Sequence, residues 1–419
     1  MDHFHPVSGV LHAEDVPLPL IAETVGTPVY VYSRATLTRH ARVFRDALGQ
    51  LPSARIAFAV KSNPNLAVLK VLAAEGYGAD VVSVGEMERA LAAGMDPEGI
   101  VFSGVGKTEA EMTRALEAGC GQFNLESEEE GLELAEIARR LGRTAACALR
   151  VNPDVDAGTH GKISTGKAEN KFGVPYHRAA AIYARLSRTE GLQMRALALH
   201  IGSQLSSLEP LEAAFTKVGV LMQDIRAAGF EVTHMDLGGG IGVPYRAGEV
   251  FPQPEDYAAM VARVTGNWGV TLMFEPGRVI TGNTGVLVTR VVRVKEGATN
   301  PWVVVDAAMN DLARPALYDA WHDFAAVEPT GETFTANIVG PICESSDTFA
   351  MARQIDTVKR GDLAVFRTAG AYGATMANTY NSRPLVPEVM VDGDKWAIVA
   401  DRIEPATILA AERVPDWLA

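Results

Sequence analysis

Cysteine is scarce in this chain of 419 residues, and the three cysteines form no recognisable pattern. Cys120, Cys147 and Cys343 lie far apart and include no CxxC pair, so the sequence predicts neither a zinc ribbon nor a disulfide framework. No metal site is predicted on other grounds. Free thiols are typical of a reducing compartment, which favours the cytoplasm.

Basic residues and long apolar runs are also lacking. The chain has 51 acidic and 38 basic residues and a formal net charge of −13, which argues against nucleic acids or anionic membranes as partners. No apolar run approaches the ~18 residues that a membrane-spanning helix needs. The N-terminal residues lack a basic stretch followed by an apolar run, so no signal peptide is expected. Hydrophobic residues make up 47% of the chain, enough for a large core in two domains.

Short runs rich in β-branched and apolar residues recur through the first two thirds of the chain. Helical patterns rich in Ala, Leu and Glu lie between them, and several end at a glycine, the usual helix stop. Strand and helix in regular alternation indicate a parallel sheet that is buried on both faces. The eight predicted strands are Arg55–Val60, Ala79–Val82, Ile100–Ser103, Gln122–Leu125, Cys147–Val151, Ala196–Ile201, His234–Leu237 and Thr271–Glu275.

The simplest closure of this sheet is a (β/α)8 barrel over residues 28–278, with an open doubly wound sheet as the alternative. After residue 278 the pattern changes to short apolar or alternating runs separated by turns, including the hairpin-type Asp392-Gly393. These runs predict an antiparallel β domain, sandwich-like or barrel-like, over residues 279–419. Residues 1–27 are expected to pack on it. The predicted fold class is therefore α/β, with a barrel followed by a β domain.

Polar residues follow the predicted barrel strands, at the end where barrel enzymes place their active sites. Lys61 comes directly after the first strand, and a lysine there is unfavourable unless it is paired or used chemically. One interpretation is a lysine that extends to solvent, and the other is an amine made reactive by desolvation. His200, at the end of the sixth strand, is either a core histidine or a flat ring that stacks on an aromatic cofactor.

A glycine-rich run, Gly238–Gly242, follows the seventh strand, where barrels often bind phosphate. Backbone N–H groups in such a loop can hold a phosphate, and Ser203 could add a hydroxyl. The run has neither the Gly-Lys-Ser/Thr of a P-loop nor the spacing of a dinucleotide motif. Glu275 and Arg278, after the eighth strand, form either a structural ion pair or part of a site in which Glu275 keeps a pyridine nitrogen protonated.

Together these segments resemble the fold-type III decarboxylases that use pyridoxal 5'-phosphate (PLP) and share the alanine-racemase-like barrel. Within that group the resemblance is to the diaminopimelate decarboxylases, and it covers nearly the whole chain. In the predicted barrel it rests on FAVKSN, RVNPD, HIGSQ, LGGGIG and EPGR. In the rest of the chain it rests on ARPALYDAWH, GPICESSD, AGAYG and NSRP, and the order and spacing of all these segments agree.

The resemblance implies PLP as cofactor and gives a role to each matching residue. Lys61 would attach the cofactor covalently, His200 would stack on its ring, and Glu275 would pair with the ring nitrogen. The residues implied in holding the phosphate group, through side chains or backbone, are Ser203, Gly240, Glu275, Pro276, Gly277, Arg278 and Tyr372.

The implied reaction is the decarboxylation of meso-2,6-diaminopimelate to L-lysine and CO2, the last step of lysine biosynthesis. Cys343 would donate a proton, and Glu344 would bind the far ammonium group, both from the other subunit of a homodimer. Arg314 and Tyr318 share a face if their segment is helical, although Arg314 could instead form a surface ion pair. The residues implied in substrate binding are Arg278, Arg314, Tyr318, Glu344 and Tyr372.

Several alternatives stay open at this point. The chain could be a PLP enzyme for another reaction, either a racemase or a decarboxylase of carboxynorspermidine, ornithine, lysine or arginine. It could be a non-catalytic relative that binds PLP, or a barrel that binds a different phosphate compound. The Gly- and Lys-rich residues 158–173 are predicted to form a mobile cover over the barrel mouth.

Overall fold

The computed structural model describes residues 2–156 and 170–418. The chain divides into two compact units. The first contains Thr38–Pro244 and Val250–Ile280, and the second contains Met1–Leu37, Tyr245–Glu249 and Thr281–Ala419. The domain boundaries expected from the sequence, 28 and 278, stay a prediction. The predicted mobile cover lies outside the described residues, apart from its last four.

The first unit is a closed barrel of eight parallel strands, as predicted. Strand order follows the chain, and the eighth strand closes the barrel by pairing Leu272–Phe274 with Ala54–Ile56 of the first. A short strand, Val174–Pro175, also pairs with the fifth barrel strand. The barrel strands are Ala54–Ala59, Gly78–Val81, Ile100–Phe102, Gln122–Leu125, Ala145–Asn152, Leu192–Ala198, His234–Asp236 and Thr271–Phe274.

Helices connect the barrel strands, and polar side chains fix where several of them begin. Ser83 accepts a hydrogen bond from the backbone N–H of Glu86, and Thr108 forms a capping box with Glu111. These caps lie directly after strands, so they also set the course of the loops at the carboxyl ends. The connecting helices are Leu66–Ala74, Val84–Ala92, Glu109–Ala118, Glu128–Arg140, Tyr176–Leu186, Glu209–Ala227 and Pro254–Thr265. Arg34–Leu48 precedes the first barrel strand, and Arg278–Thr281 follows the last.

The second unit is built on a large β-sheet. Its strands are Val29–Ser33, Gly285–Lys295, Trp302–Val305, Phe324–Ala326, Thr333–Val339, Thr348–Asp356, Leu363–Phe366, Glu388–Asp392 and Lys395–Ala400. Short helices at Leu18–Val25, Arg314–Tyr318 and Pro405–Leu409 accompany it.

The sheet of the second unit is mixed, which corrects the antiparallel expectation. Most of its pairs are antiparallel, but Val29–Ser33 runs parallel to Glu388–Asp392 and Trp302–Val305 runs parallel to Thr333–Val339. Parallel neighbours need a long connection. The strands of the first pair come from opposite ends of the chain. The strands of the second pair are joined by a long connection that contains a helix. Hairpin turns therefore do not set these directions.

The N-terminal residues pack within the second unit, as the sequence predicted. Phe4–Val7, Val10–Ala13 and Val16–Pro17 form a small antiparallel sheet. Its side chains Phe4 and Leu11 belong to a buried cluster that also contains Val286 and Val365 of the large sheet. Across residues 2–156 and 170–418, every helix is too short or too polar to cross a bilayer.

Candidate active site

A cavity of about 350 Å³ lies at the carboxyl ends of the barrel strands. Its volume is typical of small-molecule sites, which measure roughly 300–1,000 Å³. Polar groups from seven different strand ends or loops converge on it. The polar or charged lining residues are Lys61, Asp80, Ser103, Asn124, Arg150, His200 and Glu275.

Lys61 lies in a single 3₁₀ turn, Val60–Ser62, directly after the first strand. Its Nζ donates a hydrogen bond of 2.6 Å to Oδ2 of Asp80, on the second strand. The Asp80 side chain is fully buried, whereas 41% of the Lys61 side chain is exposed. The Oδ1 atom of Asp80 is buried without a hydrogen-bond partner among the described residues. Lys61 is thus an ion-paired amine at the cavity, and its covalent attachment to a cofactor stays a prediction.

Glu275, which lines the cavity, and Asp236 are two neighbouring buried carboxyl groups. Nδ2 of Asn124 lies 3.0 Å from Oδ2 of Asp236 and 3.4 Å from Oε1 of Glu275. Burial, together with the charges of Asp236 and Asp80, raises the pKa of Glu275 well above its usual value. Burial also raises the pKa of Asp236 to about 6. Burial therefore favours the protonated form of Glu275.

His200 presents its ring to the same cavity. The backbone N–H of Gly239 donates to its Nδ1 at 3.3 Å. Burial, with the positive charges of Arg150 and Lys61, lowers the pKa of His200 to about 3. The ring is consequently neutral, and its Nδ1 is an acceptor. The structure thus places a flat, uncharged ring where the sequence allowed either a core or a stacking histidine.

The glycines after the seventh strand leave no room for side chains. A Cβ on Gly239 would lie 2.2 Å from the carbonyl oxygen of Glu275, and one on Gly240 would lie 2.6 Å from that of Gly202. Gly240 also has a φ of +128°, a conformation that other residues rarely adopt. The backbone is therefore bare along this loop, as a phosphate cradle requires.

Further contacts join the loops after the sixth, seventh and eighth strands. Nη2 of Arg278 donates to the hydroxyl of Ser203 at 3.2 Å, and Arg278 is only 6% exposed. The carbonyl of Pro276 accepts from the N–H of Ala59, and that of Gly277 from the N–H of Ile280. These bonds fix the EPGR segment against the first strand. Most of the predicted cofactor residues therefore lie on one rim of the barrel.

The remaining predicted site residues lie in the second unit. Arg314 and Tyr318 are the first and last residues of a short helix, so the condition under which they share a face is met. Arg314 is buried, its Nη1 donates to Nε2 of His322 at 2.9 Å, and its guanidinium lies 4.5 Å from the ring centre of Tyr245. The alternative of a surface ion pair is therefore wrong. Tyr372 is partly buried and has a φ of +55°, a strained conformation typical of functional sites.

The segment that carries Cys343 and Glu344 is organised by the buried carboxylate of Asp347. Its two oxygens accept from the N–H groups of Met309 and Ile342, each at 2.7 Å. A Cβ on Gly340 would lie 2.4 Å from Oδ2 of Asp347, so the glycine is needed for this arrangement. The turn is consequently well defined before any ligand binds.

That turn presents a thiol and a carboxylate on the surface. Cys343 is exposed, and its backbone N–H donates to Oδ1 of Asn381 at 3.3 Å. Glu344 accepts hydrogen bonds from the hydroxyls of Ser346 and Tyr380, the latter at 2.8 Å. These bonds lower the pKa of Glu344, which is therefore ionised.

Three residues of the barrel site were missed by the sequence interpretation. Asp80, Asn124 and Asp236 are buried polar residues inside or at the end of apolar strands. Asp80 accepts a hydrogen bond from Lys61, and Asn124 donates one to Asp236. A polar residue within an apolar strand was the available signal. In the described part of the chain, no group of three or more His, Cys, Asp or Glu is placed to hold a metal ion.

Comparison with known proteins agrees with this geometry. Residues 34–282 match a family model described as the pyridoxal binding domain of pyridoxal-dependent decarboxylases. A diaminopimelate decarboxylase of Zymomonas mobilis is 50% identical over 416 residues, which cover 98% of each chain. The chain belongs to the diaminopimelate decarboxylase family. The enzyme of that name from Vibrio cholerae is 48% identical over 417 residues, 99% of each chain.

Solved structures of diaminopimelate decarboxylases have the same fold. The structure from M. jannaschii is 33% identical and matches with a TM-score of 0.94 over 100% of this chain and 99% of that chain. The structure from Helicobacter pylori, complexed with L-lysine, is 37% identical and has a TM-score of 0.90. It covers 94% of this chain and 98% of its own. The family resemblance inferred from the sequence motifs is thereby confirmed.

Proposed function

We propose that this protein is a PLP-dependent carboxy-lyase that converts meso-2,6-diaminopimelate to L-lysine and CO2, the last step of lysine biosynthesis. One observation carries the proposal: the Lys61 amine, paired with Asp80, shares a cavity with Glu275 and the neutral ring of His200. Membership of the diaminopimelate decarboxylase family supports the choice of substrate.

The residues present fit PLP as the cofactor. When bound, PLP delocalises the electron pair that remains on the α-carbon after CO2 leaves. Lys61 would hold the aldehyde carbon of the cofactor, because its amine is anchored at the cavity by Asp80. The bare backbone at Gly240, the Ser203 hydroxyl and the Arg278 guanidinium would hold the phosphate group. Pro276, Gly277 and Tyr372 are assigned to the same group by the family resemblance.

Glu275 would supply the proton on the ring nitrogen. Its raised pKa favours the protonated carboxyl group, and a pyridine nitrogen within reach would accept that proton. Glu275 would then remain as the counter-charge, held in place by the amide of Asn124. The N–H of Gly238 donates to Oδ1 of Asp236 at 3.0 Å, which fixes the second carboxylate. A preorganised charge of this kind stabilises the transition state without reorganisation.

His200 would support the ring from one face. Its low pKa keeps the imidazole neutral across the physiological range, so it adds no positive charge beside a protonated ring. Arg150, which lies nearby, is neutralised by Glu126 at 2.7 Å. The positive charges close to the ring are therefore compensated, and the group that would stack on the cofactor is the uncharged imidazole of His200.

Substrate recognition would come from the second unit together with Arg278. Arg278, Arg314 and Tyr318 would bind the far carboxylate, since a guanidinium can hold a carboxylate through two parallel bonds. Tyr372 would also contact the substrate. Glu344, which is ionised, would bind the far ammonium group. A substrate without a far carboxylate, such as ornithine, would leave the buried Arg314 without its anion.

Cys343 would return the proton to the α-carbon. A thiol is a suitable proton donor in general acid catalysis. Both Cys343 and Glu344 are exposed at the surface of the chain, which suits residues that serve the active site of the other subunit in a homodimer. The three free thiols also favour a cytoplasmic enzyme.

Assays of CO2 release from meso-diaminopimelate, lysine, ornithine and arginine test the proposal. We expect release from meso-diaminopimelate alone, together with a visible absorption band from bound PLP. Lys61→Ala should abolish both, whereas Lys70→Ala, an exposed lysine on the following helix, should preserve both. Racemisation without CO2, or release from ornithine in preference to meso-diaminopimelate, would contradict the proposed reaction.

A further inference from the structure

A second cavity, of about 450 Å³, lies where the barrel strands begin. The cavity that contains Lys61 is lined from the carboxyl ends of the strands, so the two cavities use opposite ends of the barrel. The charged and titratable side chains that line the second cavity are Arg55, Glu98, Arg143, Arg195 and His234. None of them has a part in the proposed decarboxylation.

The lining of this cavity carries an excess of positive charge. Three guanidinium groups face a single carboxylate, that of Glu98. Burial and the charges of Arg195 and Arg55 lower the pKa of His234 to about 4, so this ring is neutral at physiological pH. Burial also raises the pKa of the Cys120 thiol to about 12, so it contributes no negative charge. The cavity therefore has a net charge near +2 at neutral pH.

Arg195 shows that this charge is not balanced within the barrel. Its Nη2 donates to the carbonyl of Gly121 at 2.7 Å, but its Nε is buried without a hydrogen-bond partner in the described residues. Burial and repulsion from Arg55 lower the pKa of Arg195 below its usual value. A guanidinium donor that is buried and unpaired is unfavourable.

The other end of the barrel shows how this fold neutralises an arginine. Arg150 is paired with the buried carboxylate of Glu126 at 2.7 Å. At the second cavity, Arg143 instead donates to a neutral backbone carbonyl, that of Leu116, at 2.7 Å. The second cavity thus gathers guanidinium groups around an open space with one carboxylate among its lining residues.

We infer that the second cavity binds a small dianion that carries phosphate or carboxylate groups. Guanidinium groups bind both kinds of oxyanion through charge-assisted, often bidentate, hydrogen bonds. The cavity volume lies within the range of roughly 300–1,000 Å³ that is typical of small-molecule sites. The ligand is therefore a metabolite-sized anion, and it neutralises the excess charge of Arg55, Arg143 and Arg195.

Calorimetric titration of the PLP-loaded protein tests this inference. The probes are inorganic phosphate and succinate, each at an ionic strength held constant with sodium chloride. Bound PLP occupies the phosphate cradle at Gly240, and the Arg55 and Arg195 variants distinguish binding at the second cavity from binding at the substrate-binding arginines of the active site. We expect saturable binding of at least one probe. Arg195→Gln and Arg55→Gln should each weaken it about tenfold, because each removes a charge-assisted bond.

A matched control is available on the barrel surface. Arg263 pairs with Glu212 at 2.7 Å between two exposed side chains, and Arg263→Gln should leave the affinity unchanged. Preference for phosphate would identify a phosphorylated ligand, and preference for succinate would identify a dicarboxylate. Absence of saturable binding of both probes, or equal affinity in wild type and Arg55→Gln, would overturn the inference. Arg55 is exposed, so its variant remains usable if Arg195→Gln fails to fold.

Discussion

The neutral state of His200 makes the barrel sensitive to acid. Its pKa is about 3 in the folded chain, against 6.5 for an ordinary histidine. Between these values the unfolded chain binds a proton at this residue and the folded chain does not. Stability from His200 is therefore complete above pH 6.5 and is lost as the pH falls toward 3. At pH 5 the loss amounts to about 2 kcal/mol, from 1.5 pH units at roughly 1.4 kcal/mol each.

Urea unfolding of the cofactor-free protein at pH 7.5 and pH 5.0 measures this effect. His200→Phe keeps a flat ring and removes the titration. Between pH 7.5 and pH 5.0, the free energy of unfolding of this variant should therefore decrease by about 2 kcal/mol less than that of wild type. Asp236 acts in the opposite direction. Its raised pKa of about 6 gives stability that is present below pH 3.8 and is lost as the pH rises through 6. Because Asp236 is present in both proteins, its contribution cancels in the comparison.

The control for this experiment is His177→Phe, at an exposed position on the helix Tyr176–Leu186. It should keep the pH dependence of wild type. If His200→Phe also loses as much stability on acidification as wild type does, the neutral, buried state assigned to His200 is refuted.

Three further predictions concern the reaction. Cys343→Ala should keep the visible band of bound PLP and lower kcat for CO2 release by about 10²–10⁴-fold, the range for a lost proton donor; an unchanged kcat would place the donor elsewhere. Glu275→Gln should also keep the band and should lower kcat by about 10²–10³-fold, since the ring nitrogen loses its counter-charge; full activity would rule out that role. Arg314→Gln should raise KM for meso-diaminopimelate about tenfold or more with the band intact, and an unaltered KM would remove Arg314 from substrate binding.

The barrel could be predicted from the sequence because its strands are apolar runs bounded by helices and glycine stops. The strand predicted at Gln122–Leu125 has the same bounds in the structure. The sixth strand was placed too late, at Ala196–Ile201, whereas it is Leu192–Ala198. It ends earlier because His200–Gln204 turns sharply, with φ values of +156° at Gly202 and +65° at Gln204. Apolar residues such as Leu199 and Ile201 are buried in that loop and so resemble strand residues.

The strand directions in the second unit were harder to predict. Val29–Ser33 is apolar and buried throughout, so its composition is equally suited to a barrel or to a sheet. Its neighbours, Gly285–Lys295 and Glu388–Asp392, are more than 250 residues away along the chain. Such pairing depends on tertiary packing, and neither turn chemistry nor periodicity reports it.

The positions of three predicted site residues could be foreseen because chain order and barrel geometry together determine them, whereas their roles stay predictions. Lys61, His200 and Glu275 each end a different strand, and a parallel barrel brings those ends to one rim. Asp80 and Asn124 were missed because a polar residue within a strand can face either the barrel interior or the surrounding helices. Only the closed barrel shows that Asp80 points to Lys61 and that Asn124 reaches Asp236 and Glu275.

Reduction of the PLP-loaded protein with borohydride, followed by peptide mass spectrometry, tests the central claim most directly. The reagent makes the link between the cofactor and its lysine permanent, so the modified peptide identifies the attachment site. We expect a single phosphopyridoxyl group on Lys61, and no labelled peptide from Lys61→Ala. A label on any other lysine, or an unlabelled chain that still releases CO2 from meso-diaminopimelate, would contradict the assignment of Lys61 at the barrel mouth.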